Sequence, residues 1–167
     1  VEGGIAFDNV SFQYQEETGA AVSDLKLNIR PGEKVGVLGR IGSGKSTMLK
    51  LASGLYDSAK GNITLDGVDM RQLDPNFLRS EVVLLSQQPR LFLGTLRENM
   101  DLARFDGYST DQELLAASKR FGLDRIIRNH PRGLDMPLGE DGLGLSGGQK
   151  QIIALARMTL DRKSIRL

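Results

Sequence analysis

The sequence contains no cysteine and a single histidine, His130, in 167 residues. Without thiols there is no disulfide framework, no thiolate zinc site and no cysteine nucleophile. One imidazole argues against a histidine metal cage or a Ser-His-Asp triad, and His130, directly before Pro131, reads as a loop residue. Charge of either sign is not in excess: 22 Lys and Arg stand against 21 Asp and Glu, a formal net charge of +1. No global electrostatic drive toward nucleic acid or an anionic membrane follows. Anion binding must therefore come from a local site. The longest apolar runs, residues 82–85 and 152–156, fall far short of the roughly 18 residues of a membrane span. No signal peptide is visible. The chain begins at Val1 and is expected to be a piece of a longer polypeptide, outside which a membrane segment could lie.

Glycine is plentiful, 20 residues, or about 12% against an average near 7%. In a globular chain that excess points to tight turns and close approaches of backbone to a ligand. The length supports one domain or two small ones, and it is enough to bury a core without covalent or metal staples.

The N-terminal third reads as strands. Ala6, Phe7, Val10, Phe12 and Tyr14 form a short β-like stretch, and Leu25, Leu27 and Ile29 alternate with polar residues at the period of a half-buried strand. Pro31-Gly32 marks a turn. Residues 34–38 (KVGVL) and 82–85 are expected to be buried parallel strands. Met48, Leu51, Ala52 and Leu55 predict a helix, Ile63 and Leu65 a strand, and Asp66-Gly67 a hairpin turn. Asp74-Pro75 spells a helix start. From about Pro89 the pattern turns helical. Thr110 to Glu113 is a capping box, followed by Leu114, Ser118 and Phe121 on one face and Gly122 as C-cap. A short helix is expected over residues 123–129. Ser146-Gly147-Gly148-Gln149 spells a second box before Ile152, Ile153 and Ala156. The fold class is α/β.

Two motifs carry chemistry. Gly39-Arg40-Ile41-Gly42-Ser43-Gly44-Lys45-Ser46 follows an apolar run and opens a helix. Its glycines let successive N–H groups point inward, and the helix adds unpaired amides and a positive dipole end, the requirements for holding nucleotide phosphates. Lys45 can reach the β and γ phosphates, and the Ser46 hydroxyl can ligate Mg²⁺. The second motif, Leu145-Ser146-Gly147-Gly148-Gln149, is another open helix mouth suited to an anion.

Together, in this order, the motifs resemble the ATP-binding domain of ABC transporters, and the resemblance covers nearly the whole chain. It implies a P-loop core with an antiparallel β subdomain and a helical subdomain. Residues 1–88 would form the β subdomain and core, 89–157 the helical subdomain, and 158–167 the start of the Walker B region. Residues 39–46 correspond to Walker A, with Thr47 following, and 145–149 to the signature sequence. Tyr14 would stack on adenine, and Gln87, in Ser86-Gln87-Gln88-Pro89, would touch Mg²⁺ and the attacking water. Gly139 to Gly142 is similar to the exporter X-loop. The resemblance implies ATP and Mg²⁺ as ligands. Its implied partners are a permease domain, fused N-terminally, and a second copy whose signature caps the ATP held by Walker A. It implies no nucleic acid, no membrane insertion of this segment, and a place on the cytoplasmic face of a bacterial inner membrane. The Leu91 to Met100 spelling is similar to exporters. The Gly39 to Thr47 spelling is similar to type I secretion ATPases, implying protein or peptide cargo. A small kinase, a non-transport ABC protein and a fragment that binds nucleotide without hydrolysing it remain alternatives.

The resemblance breaks at its end. The family's next element is an apolar strand closing in Asp-Glu, and here the residues are Asp161-Arg162-Lys163-Ser164-Ile165-Arg166-Leu167. The chain therefore resembles a domain truncated before Walker B. No catalytic carboxylate is expected within it, and weak hydrolysis is expected of it alone.

Overall fold

The computed structural model describes residues 1–15, 19–102, 108–142 and 144–160. Residues 161–167, where the family pattern breaks, lie outside the described residues. The fold is mixed α/β and divides into two compact units, Val1–Leu84 and Leu85–Leu167.

The first unit is built on a four-stranded antiparallel sheet in the order β2-β1-β3-β4, with β1 Ile5–Phe12, β2 Val22–Ile29, β3 Lys60–Leu65 and β4 Val68–Asp69. Strict alternation along β1 would send residues 7, 9 and 11 inward. A bulge at Asn9 (φ 49°) shifts the register after Phe7, so Phe7, Val10 and Phe12 face the core instead. They pack with Ile63 and Leu65 of β3, Leu51 of α1 (Lys45–Ala52) and Leu78 of α2 (Pro75–Glu81). Along β2, Leu25, Leu27 and Ile29 are half-buried and their neighbours exposed, as the alternation predicts. The β3–β4 turn places Asp66 (φ 49°) and Gly67 (φ 83°) between the paired residues Leu65 and Val68, which is the two-residue hairpin predicted. The Asp66 carboxylate also accepts the amides of Glu2, Gly3 and Gly4 at 2.7–3.2 Å. Asp74 caps α2, accepting from Asn76 and Phe77, with Pro75 in the first turn.

Three expectations are corrected. Residues 34–38 and 82–85 are not strands. Val35 and Val37 are exposed, Leu38 is 97% exposed, and residues 82–85 are only half-buried. A parallel strand is defined by its neighbours, which supply the ladder and the cover on both faces. Among the described residues no strand pairs with either segment. The apolar runs record a capacity for burial, and the ladder has to come from elsewhere. Finally, α1 ends at Ala52 and Gly54 turns into the left-handed region (φ 67°), so Leu55 leaves the helical stripe and is exposed.

The second unit is helical: α3 (Leu96–Asp101), α4 (Asp111–Phe121), α5 (Asp124–Asn129) and α6 (Gly147–Leu160). A short antiparallel ladder, β5 (Gly94–Thr95) against β6 (Pro137–Leu138), joins them and has no counterpart in the sequence reading. Thr110 and Glu113 form the predicted reciprocal cap, and Gly122 (φ 78°) ends α4. Thr95 and Glu98 do the same for α3. The core joins Leu96 and Met100, Leu114 and Ala117, Leu123 and Ile127, and Ile153 and Ala156. Ser118 is fully buried because its hydroxyl donates to the Leu114 carbonyl at 2.7 Å, one turn back. Arg97 ties the start of α4 to the 133–135 turn through Asp111 and Asp135, at 2.5 and 2.7 Å. His130 closes α5, its Nδ1 accepting the Arg132 amide, as expected of a loop histidine.

Candidate functional site

The glycine-rich loop delivers the chain to the mouth of α1. Gly42 and Gly44 have φ of 80° and 83°. At Gly44 a second constraint applies: a Cβ there would lie 2.3 Å from the Ala21 carbonyl oxygen. Only glycine meets both conditions. Gly44 is the N-cap of α1 and offers no side-chain oxygen, so no side chain satisfies the first amides of the helix. They face the loop together with the positive end of the helix dipole. The Lys45 ammonium folds over the loop, donating to the carbonyls of Gly39 (2.8 Å) and Arg40 (2.6 Å), with the Ser43 hydroxyl at 3.4 Å. Ser46 is exposed beside it, and Thr47 is buried. Arg40 and Ile41 stand on the exposed outer side of the loop.

Tyr14 joins these residues in one cleft of about 680 Å³, lined by Tyr14, Ala20, Ala21 and residues 42–47. Its ring packs edge-on against Phe12 and Tyr56, with centroids 4.9 and 5.6 Å apart. The Lys50 ammonium lies 5.9 Å from the Tyr14 ring and 5.8 Å from that of Tyr56. Tyr56 and Lys50 are absent from the residues singled out by sequence. The usable signal was scarcity: the chain has only three tyrosines, and two of them flank the glycine loop on either side.

In the second unit, Ser146 and Gln149 form a reciprocal cap on α6: the Ser146 amide donates to Gln149 Oε1 at 2.8 Å, and the Gln149 amide to Ser146 Oγ at 3.2 Å. Leu145 is half-buried and anchors the turn against the helical core. Ser146, Gly147 and Gly148 are exposed. Neither Gly147 nor Gly148 has a positive φ. A Cβ on Gly147 would meet nothing within 4 Å, and one on Gly148 only Ser146 Oγ at 4.0 Å. Among the described residues their smallness serves no contact. Gln87 belongs to this unit. It is exposed, and its carbonyl accepts from Gln151 Nε2 at 2.9 Å. It borders a cleft of about 700 Å³ shared by residues 87–92, Glu140, Asp141, Gly147, Lys150 and Gln151.

A polar knot that sequence reasoning missed lies under the same unit. Asn99, 1% exposed, donates to the carbonyls of Phe92 and Thr95 and accepts the Phe92 amide. Arg157 of α6 donates to the Asn99 carbonyl at 2.7 Å. Burial lowers the Arg157 pKa. Only the fold brings residues 58 positions apart into this bond.

Residues 22–167 match the family described as ABC transporter, and the chain belongs to that family. It is 42% identical over 160 residues to an ATP-dependent lipid A-core flippase of Sodalis glossinidius (strain morsitans), covering 96% of this chain and 27% of that protein. It is 39% identical over 167 residues to Multidrug resistance protein 3 of Entamoeba histolytica, covering 99% of this chain and 13% of that protein. Its structure superposes with a TM-score of 0.89, at 34% identity, on a bacterial Atm1-family ABC exporter with ATP bound, over 96% of this chain and 28% of that one. The chain thus spans between 13% and 28% of the length of these relatives. It is an ABC ATP-binding domain with exporter homologues, and ATP binding and hydrolysis are the chemistry of its family. Among the described residues no helix is long and apolar enough to cross a membrane.

Proposed function

We propose that this chain is the ATP-binding domain of an exporter, in which ATP drives movement of cargo through a membrane-spanning partner. The observation that carries the reading is the mouth of α1: a glycine N-cap without a side-chain bond, with the Lys45 charge held over the loop. Residues 39–47 would hold the phosphates and Tyr14 the base. Mg²⁺ would be held at Ser46 and would neutralise phosphate charge. In this reading the exposed mouth of α6, residues 145–149, caps the ATP of a second copy. That use accounts for Gly147 and Gly148, which no contact among the described residues requires. The permease partner places the domain at the cytoplasmic face of a membrane. The names of the flippase and multidrug relatives favour lipid or drug cargo. The Gly39 to Thr47 spelling keeps protein or peptide cargo of type I secretion as a second reading.

A fluorescent ATP analogue titrated into the 167-residue chain should bind, and Lys45→Ala should weaken it by at least about tenfold. No Asp-Glu pair follows the signature in these residues, so turnover by the chain alone should lag by about 10²–10⁴, the typical worth of a positioned base. Equal binding by Lys45→Ala and the parent would overturn the reading.

A further inference from the structure

We infer that the Tyr14 hydroxyl is a positioning latch, tying the aromatic wall of the first cleft to the helix that presents the phosphate loop. The inference rests on the nucleotide-binding reading above. Tyr14 stands two residues beyond β1, on the connection to β2 that returns through the bond from the Ala21 amide to the Phe12 carbonyl (2.8 Å). Tyr14 and residues 19–21 form one wall of the cleft, and residues 42–47 the other.

Among the described residues, two joints link the walls. One is the close approach of the Ala21 carbonyl to Gly44, where no side chain fits. The other is a hydrogen bond of 3.1 Å between the hydroxyls of Tyr14 and Thr47. Thr47 is only 6% exposed and sits in the first turn of α1, directly after Lys45 and Ser46. Packing alone does not ask for this pair. Phenylalanine would make the same edge-on contacts with Phe12 and Tyr56, and valine would fill the volume of Thr47. What the two hydroxyls add is a directional bond, modest in net stability but demanding in distance and angle. Phe12, Tyr56 and Lys50 hold the ring from other sides.

The position of the ring is therefore set from the same helix turn that sets Lys45 and Ser46. A ligand that spans both walls, a nucleoside triphosphate, benefits from that alignment. A ligand that occupies only the phosphate wall does not. The latch thus makes Tyr14 a positioning residue through its oxygen, separate from any stacking by its ring.

Calorimetric titration of the full chain with ATP and with inorganic tripolyphosphate tests this. Tyr14→Phe should weaken ATP by about three- to tenfold, the worth of one net hydrogen bond. It should leave tripolyphosphate within about twofold of the parent, a split that general loosening of the fold does not produce. Thr47→Val should weaken ATP to a similar extent, the Tyr14→Phe/Thr47→Val double variant should be no worse than the poorer single one, and Thr47→Ser should restore binding. The latch is overturned if Tyr14→Phe binds ATP like the parent, if in Tyr14→Phe tripolyphosphate falls as far as ATP, or if the two single effects on ATP multiply. If the parent takes up neither ligand, the nucleotide reading itself falls, and the latch with it.

Discussion

Gly44, set against the pair Gly147 and Gly148, shows how differently one residue type can be used. Gly44 is demanded from inside: φ is 83° and the Ala21 oxygen occupies the place of a Cβ. Forcing a non-glycine residue into such a conformation costs about 1–3 kcal/mol before the clash is counted. Gly44→Ala should therefore lower the urea midpoint and abolish ATP-analogue binding together. Gly147 and Gly148 carry neither constraint. Gly147→Ala should leave stability unchanged or raise it by up to about 0.5 kcal/mol, through helix propensity. A marked loss of stability in Gly147→Ala would show an internal role that the structure does not contain. Both motifs were legible as sequence, since a glycine string before a helix can be read directly. The partners of Tyr14 were not, because Thr47 and Tyr56 acquire meaning only when the chain turns back on itself.

At the scale of elements, local signals proved dependable where the stabilising contact is itself local. The caps at Asp74, Thr110 and Ser146, the Asp66-Gly67 turn and the C-cap at Gly122 all involve residues within four positions of one another. Residues 34–38 and 82–85 failed as strands because a ladder needs a neighbour that no local pattern specifies. The knot at Asn99 is the opposite case, a strong determinant with a faint sequence signal. Asn99→Ala would remove three hydrogen bonds, those to the Phe92 amide and to the Phe92 and Thr95 carbonyls, made by a side chain that is itself buried. At about 1 kcal/mol net for each bond, the loss should be about 3 kcal/mol. Thr110→Ala, which removes only a cap, should cost about 1 kcal/mol. Urea unfolding followed by circular dichroism would rank the two, and the reverse order would contradict this account.

At the scale of the molecule, each unit carries its own core and its own open helix mouth, α1 in one and α6 in the other. Under the proposed function the mouth of α6 serves a second copy, so ATP should promote self-association of the chain. Ser146→Arg puts a bulky charge at that mouth, in an exposed position, and removes the Ser146 cap at a cost of about 1 kcal/mol. Sedimentation velocity should show ATP-dependent dimers for the parent and at least about tenfold weaker association for Ser146→Arg, with single-site ATP binding retained. Association that ignores the substitution would exclude the α6 mouth from the interface.

Sequence by itself determined the chemistry this chain can offer. The order of Gly39 to Ser46 and Leu145 to Gln149 sets which amides, which ammonium and which hydroxyls are available, and these are properties of consecutive residues. Tertiary structure alone decided which side chains stand together. The bulge at Asn9 chose the inward face of β1, the return of the β1–β2 connection brought Tyr14 to Thr47, and packing of α6 on α3 brought Arg157 to Asn99. Those outcomes depend on contacts across tens of residues, where burial and backbone pairing are settled jointly and no single stretch of chain holds the answer.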